Sequence, residues 1–183
     1  MWENRAGGGE HAPGAFWFYN NWDFNALGTI VERAGGSSVF ELFESDVAHP
    51  LGMEDFRLED TEHFREPVSQ HAAYLFRMSA RDLARVGQLY LQGGRWGDRQ
   101  VVPASWVAES TQPHSSLGVR GGYGYMWWAA ERGEHFPALQ FPDGTFSARG
   151  TGEQTVLVVP EWDLVLVHQT DTQSTTPKPP ARR

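Results

Sequence analysis

The chain has 183 residues, 40% of them hydrophobic and 21% charged, with a formal net charge of −8. That length and composition fit one soluble globular domain, and the acidic balance, with no basic stripe, argues against nucleic acid or an anionic membrane surface as a partner. Cysteine is absent, which excludes disulfides, thiolate metal sites and cysteine nucleophiles, and no apolar run reaches the roughly 18 residues that a membrane span needs.

Residues 1–12 are Gly-rich and polar and read as an irregular loop. The opening M-W-E-N-R-A-G-G-G-E-H has neither an apolar core nor a cleavage pattern, so no signal peptide is expected and the compartment stays open. From Pro13 to Gly28 the chain reads P-G-A-F-W-F-Y-N-N-W-D-F-N-A-L-G, which crowds aromatics against a helix start. Leu27, Ile30, Val31 and Ala34 recur at three- and four-residue intervals and predict an amphipathic helix over about Trp22 to Ala34, ended by Gly35-Gly36. Tyr19 therefore stands at a helix N-terminus. Unpaired first-turn amides and the macrodipole favour negative charge there and help a phenol to share its proton.

Ser38-Val39-Phe40-Glu41 is a capping box that opens a second helix, with Phe40, Phe43 and Val47 inward and Pro50-Leu51-Gly52-Met53 as its close. Glu54 to Pro67 is acidic, polar and without clean period, so an exposed excursion is expected with at most short strand segments. Ser79-x-x-Asp82 starts a third helix whose apolar face is Leu83, Val86, Tyr90 and Leu91, ended by Gly93-Gly94. A turn at Trp96-Gly97-Asp98 follows, and Pro103 at a first helical position begins a short helix through Trp106, Val107 and Ser110.

After Gly121-Gly122 the pattern becomes β. Strands are predicted at Tyr123–Ala130, around Phe136–Phe141, and at Thr145–Arg149, Thr155–Val159 and Leu164–Gln169, with short turns that imply antiparallel pairing. The fold class is α+β, helices packed on one face of an antiparallel sheet. Residues 1–171 form one domain, and the tail 172–183, rich in Thr, Pro and Arg, is expected to be disordered. Trp127 and Trp128 alternate faces on a strand, one for the core and the other free to wall a pocket.

Seven histidines show neither H-E-x-x-H nor a tight cluster, and no G-x-S-x-G or G-K-[ST] loop occurs. No metal and no cofactor are expected.

The triplet Tyr19-x-Asn21 followed by Asp23-Phe24-Asn25-Ala26-Leu27-Gly28 resembles the second motif of the serine β-lactamase and penicillin-binding-protein superfamily. It is nearest the branch of class C β-lactamases, D-Ala-D-Ala carboxypeptidases and related esterases. Met78-Ser79-Ala80-Arg81-Asp82-Leu83-Ala84-Arg85, Gly122-Tyr123-Gly124-Tyr125-Met126-Trp127-Trp128, and Gly150-Thr151-Gly152 running into Val158-Val159-Pro160-Glu161 resemble the same branch in the same order. The resemblance implies a partial β-lactamase/transpeptidase-like domain acting on a small-molecule ester or amide through an acyl-serine, in a family that is often exported.

It also implies roles. Tyr19 would relay a proton between the serine oxygen and the leaving group; as an aromatic beside Phe16, Trp17, Phe18 and Trp22 it equally fits a packing role. Asn21 would hydrogen-bond the family's lysine and the substrate amide, and it also suits a helix cap. The third motif, K-T-G or H-x-G on an edge strand, is matched best by Ser147-Ala148-Arg149-Gly150-Thr151-Gly152, without lysine or histidine. Gly150 would let substrate approach the backbone, and Arg149 or Thr151 would replace the usual cation or hydroxyl; a glycine-rich turn entering a strand is the plainer alternative. An ester or uncharged amide is then the expected substrate.

The nucleophile motif S-x-x-K has no match: of fifteen basic residues fourteen are arginine, and Lys178, the one lysine, follows Thr175. The expectation is a C-terminal portion whose N-terminal half is missing and which is inactive alone. A non-catalytic binding remnant of the fold is the alternative.

Overall fold

The computed structural model describes residues 11–12 and 16–172. Most of the expected N-terminal loop and all but the first residue of the expected tail lie outside the described residues.

Helix α1 spans Asn21–Gly35. Its cap is Asn20, whose side-chain oxygen accepts the Asp23 N–H at 3.1 Å, and Gly36 in the left-handed region closes it. The expected apolar stripe forms but faces outward: Leu27, Ile30 and Val31 are 42%, 59% and 44% exposed. The reason is Gly28 on the adjoining face. A Cβ there would lie 2.5 Å from the Tyr74 ring, so the missing side chain lets that ring press against the helix backbone and fixes which face is buried.

Helix α2, Val39–Phe43, opens with the predicted capping box of Ser38 and Glu41 and runs on as a π-helical turn, Glu44–Ala48. The polar excursion holds a short strand, as the sequence allows, β1 at Thr61–Phe64, paired antiparallel with β2 at Ala73–Phe76, a strand the sequence pattern does not mark. Rings of Phe40, Phe43 and Phe56 converge on Phe76 at 5.0 to 6.4 Å and hold this hairpin to α2.

Helix α3, Ala80–Leu91, is capped by Ser79 as predicted. Asp82 in its first turn is fully buried. It accepts the backbone N–H groups of Glu54 and Asp55 at 3.2 and 3.1 Å and the Arg85 guanidinium at 2.9 Å, which staples the excursion to the helix. A two-residue hairpin follows, β3 at Arg95–Trp96 and β4 at Arg99–Gln100. Then comes α4, Ala104–Ser110, with Pro103 as its cap, one position earlier than expected.

Strands β5 (Ser115–Ser116), β6 (Gly122–Tyr123), β7 (Trp128–Ala129), β8 (Glu134–Phe136), β9 (Leu139–Gln140), β10 (Phe146–Gly150), β11 (Gln154–Val159) and β12 (Leu164–His168) complete the chain. Six of them form one antiparallel sheet in the order β12-β11-β10-β7-β6-β5, while β8 and β9 pair separately. The single strand expected over Tyr123–Ala130 is a hairpin instead. The Gly124 backbone lies against the Ser110 and Gln112 carbonyls, and the Tyr125 N–H donates to Ser110, so the chain turns there.

On one face of the sheet Phe146, Val156 and Val158 meet Trp127, and Leu83, Tyr90 and Leu91 of α3 pack on them. Gly87 allows this close approach, since a Cβ there would be 2.5 Å from Val165. The expected arrangement, helix on one face of an antiparallel sheet, holds. The other face carries the row Tyr123, Trp128, Ser147, Leu157 and Leu166, opposite one another across five strands.

Two outcomes test this packing. Replacing Asp82 by Ala strands the Glu54 and Asp55 amides and leaves Arg85 with only its exposed partner Glu54 at 2.6 Å, and it should cost about 3 kcal/mol in urea unfolding; a loss below about 0.5 kcal/mol would refute the staple. Ile30→Glu, on the outward stripe, should stay within about 0.5 kcal/mol of the parent and reduce binding of a hydrophobic dye, whereas a large destabilisation would mean that the stripe is packed.

Candidate functional site

The stretch 16–20 carries Tyr19 to the head of α1, where four rings close on one another. Trp17, Tyr19, Tyr123 and Trp128 are all in mutual contact, with the six centroid distances between 5.3 and 6.4 Å. Phe24, one turn into α1, adds a fifth ring 5.3 Å from Tyr19. Each such pair is worth about 0.5–1.5 kcal/mol beyond area burial, so this clasp ties the segment before α1 to the β6–β7 hairpin. Tyr19 is nevertheless 41% exposed and its ring is not sealed in.

Trp128 connects the clasp to β10. Its face meets the Arg149 guanidinium at 4.7 Å, and the Phe136 ring meets the same group at 4.1 Å. Arg149 Nε donates to the Ser147 hydroxyl at 2.9 Å, and Nη2 donates to the His135 carbonyl at 3.0 Å. Ser147 and Arg149 share a face because they are two apart on a strand, and Trp128 stands opposite Ser147. Pairing of β7 with β10 stops at Ser147, which leaves Ala148 to Gly150 without a neighbouring strand on that edge among the described residues.

Among the expected site residues, the structure brings Tyr19 and Arg149 against one indole, that of Trp128. Gly150 ends β10, where a Cβ would only touch Gln154 at 3.4 Å, so the fold itself does not demand the glycine. Thr151 is exposed in the turn that follows, and Asn21 is exposed in the first turn of α1 with no hydrogen bond to the cluster. The capping role considered for Asn21 belongs to Asn20. Tyr123, Ser147 and Phe136 were not singled out as site residues; strand alternation about Arg149 and Trp128 is the signal that finds the first two, whereas Phe136 arrives through the separate β8–β9 hairpin.

Burial dominates the electrostatics. It pushes the Tyr123 phenol up to about 12, with the charge of Tyr19 as a lesser cause, and draws the Arg149 guanidinium down to about 10. His135 falls to about 4, first by burial and then by the nearby Arg149 charge, with the Ala129 carbonyl opposing weakly. Among the described residues no group, the Ala129 carbonyl included, meets either His135 ring nitrogen with hydrogen-bond geometry, and the buried Thr145 hydroxyl is likewise unpaired. An open groove elsewhere, lined by Thr29, Glu32, Arg33, Ser38 and His63, holds the Glu32–His63 pair at 2.8 Å and none of the expected site residues. Among the described residues no group of three His, Asp or Glu side chains could hold a metal ion, and no helix is long and apolar enough to cross a membrane.

A family model described as Beta-lactamase matches residues 7–183. Among solved structures, a Bacillus anthracis protein provisionally named a 6-aminohexanoate-dimer hydrolase is 22% identical with a TM-score of 0.60, over 86% of this chain and 39% of that one. A provisionally named β-lactamase of Bacteroides dorei DSM 17855 is 16% identical with a TM-score of 0.58, over 90% of this chain and 54% of that one. The chain thus spans about two fifths to one half of these neighbours. No curated protein matches it.

The depressed His135 value has a pH consequence. Because the folded state holds the ring neutral while the unfolded ring titrates near 6.5, stability should be full above about pH 6.5 and fall as pH drops towards 4. His135→Gln should remove about 2–3 kcal/mol of that pH-dependent loss in urea unfolding between pH 7 and 4. Parallel stability profiles for the two proteins would contradict it.

Proposed function

This chain belongs to the β-lactamase family, and we propose that it is the proton-relay and substrate-docking part of a serine hydrolase that cleaves an ester or amide through an acyl-serine. The 183 residues contain no S-x-x-K pattern, so the serine and the lysine beside it come from polypeptide outside them. Serine and lysine at i and i+3 on a helix share a face, which lets the amine draw the hydroxyl proton. Alone, the chain is inactive.

In this reading Tyr19 passes a proton between the serine oxygen and the leaving group. The ring clasp holds it in place while its exposed edge stays available to substrate. The substrate lies along the uncovered edge of β10 at Arg149, Gly150 and Thr151, as an added strand would, and a backbone N–H there takes the developing oxyanion. Asn21 reaches the substrate amide and the incoming lysine. The exposed stripe of Leu27, Ile30 and Val31 receives the missing segment, since a contiguous apolar face of that kind marks a protein contact. The observation that carries the proposal is that Tyr19 and Arg149, widely separated in sequence, contact the same Trp128 ring.

Turnover of nitrophenyl acetate tests it. The isolated chain should not exceed background. Fused behind an S-x-x-K-bearing segment from a family member, it should turn over, and Tyr19→Phe in the fusion should lower kcat by roughly 10²–10⁴-fold. Turnover by the isolated chain that Tyr19→Phe abolishes would overturn the proposal, as would a fusion whose activity ignores Tyr19.

A further inference from the structure

The β8–β9 hairpin stands apart from the six-stranded sheet: among the described residues neither of its strands pairs with that sheet. Side chains hold it down instead. Arg149 Nη2 on β10 donates to the His135 carbonyl at 3.0 Å, and the Phe136 ring lies on the same guanidinium. The Ser116 hydroxyl donates to the Glu131 carboxylate, the Phe141 ring meets Trp162 at 6.0 Å, and the Glu134 carbonyl lies against Gly121, where a Cβ would be 2.5 Å away. A two-stranded hairpin is marginal by itself in water, so this one depends on those contacts.

His135 lies on β8, in the middle of the latch. Its ring is fully buried against the Phe136 and Phe141 rings, with centroids at 4.8 and 5.7 Å, and neither ring nitrogen has a hydrogen-bond partner among the described residues. A neutral imidazole leaves one donor and one acceptor unpaired there. An imidazolium would leave two donors and a charge. From β10 the ring faces a second cation, Arg149, and from β7 the Ala129 carbonyl, outside hydrogen-bond geometry. The carboxylates of the hairpin and its turn are already engaged, Glu131 by Ser116, Glu134 by Gln140 and Asp143 by the Gly133 N–H. Arg132 in the hairpin and Arg120, in the turn Gly118–Arg120 that packs on β8, are both exposed.

We propose that the β8–β9 hairpin is an acid-released strap: protonation of His135 frees it from β10 while the six-stranded sheet stays folded. One residue carries both parts. The His135 carbonyl is the latch that Arg149 holds, and the His135 ring is the trigger, so lifting the hairpin breaks the latch and hydrates the ring in one movement. Global unfolding would hydrate the ring too, but it must also break the β10–β11–β12 pairing and the Trp127 core, so the smaller opening comes first. Burial and the Arg149 charge hold the closed ring down to about 4, against about 6.5 in water, so the open form binds the proton more tightly and acid favours it across that window. On the hydrolase reading the same opening takes Phe136 off the docking strand, but the strap does not depend on that reading.

Native-state hydrogen exchange of the intact chain in low urea tests the strap without any turnover, because local opening barely responds to urea whereas global unfolding responds fully. The Phe141 and Glu134 N–H groups, bonded to the Gly133 and Glu131 carbonyls, report the hairpin, and the β11 amides report the sheet. The hairpin's opening constant should rise about a hundredfold between pH 7 and pH 4, with little urea dependence. In His135→Gln it should change by less than about threefold over the same range. Should His135→Gln fail to fold, His135→Phe serves instead, since its ring has no titrating group and leaves no polar atom unpaired. The proposal is overturned if the hairpin amides share the urea dependence of β11, if their opening constant is flat with pH, or if the variant keeps the parent's pH response.

Discussion

Four aromatic rings hold the site together. Tyr19 belongs to an irregular stretch with no strand pairing of its own, and such a stretch pays roughly 1–2 kcal/mol per residue to be ordered. Six ring-to-ring contacts among Trp17, Tyr19, Tyr123 and Trp128 are what set against that cost. They also select a geometry. Because Trp128 stands opposite Ser147 in the sheet, whatever fixes Tyr19 to Trp128 also fixes it relative to β10.

The rest of the fold prepares the two sides of that clasp. On one side, Gly28 lets Tyr74 press on α1 and so orients the helix whose head carries Tyr19. On the other, α3 buries its face against Val156, Val158 and Val165, which leaves the opposite face of the sheet to the Trp128 row. The division is visible at two adjacent residues: Trp127 is buried with Tyr90 and Phe146, while Trp128 turns to the clasp. A strand's alternation, applied once, separates core from site.

Local chemistry made much of this legible in the sequence. The capping box at Ser38 and Glu41, the Ser79 cap and the left-handed Gly36 each rest on contacts within a few residues, and each lies where the residues placed it. What depended on distant partners did not show. The outward turn of the α1 stripe is decided by Tyr74, and the β1–β2 hairpin has no alternating pattern because both of its faces are partly wet. The break at Gly124 is imposed by carbonyls from the end of α4. In the candidate site, motif order singles out Tyr19 and Arg149, which meet the same Trp128 ring, whereas the Ser147 contact and the Phe136 ring required the sheet register and a separate hairpin.

The clasp is measured most directly by a double-mutant cycle in denaturant unfolding with Tyr19→Ala, Trp128→Ala and the pair together. If the rings hold Tyr19 to the sheet, the two losses should fall short of additivity by about 0.5–1.5 kcal/mol. Losses that simply add, within about 0.3 kcal/mol, would mean that Tyr19 and Trp128 do not sense each other and that Tyr19 is not held over β10.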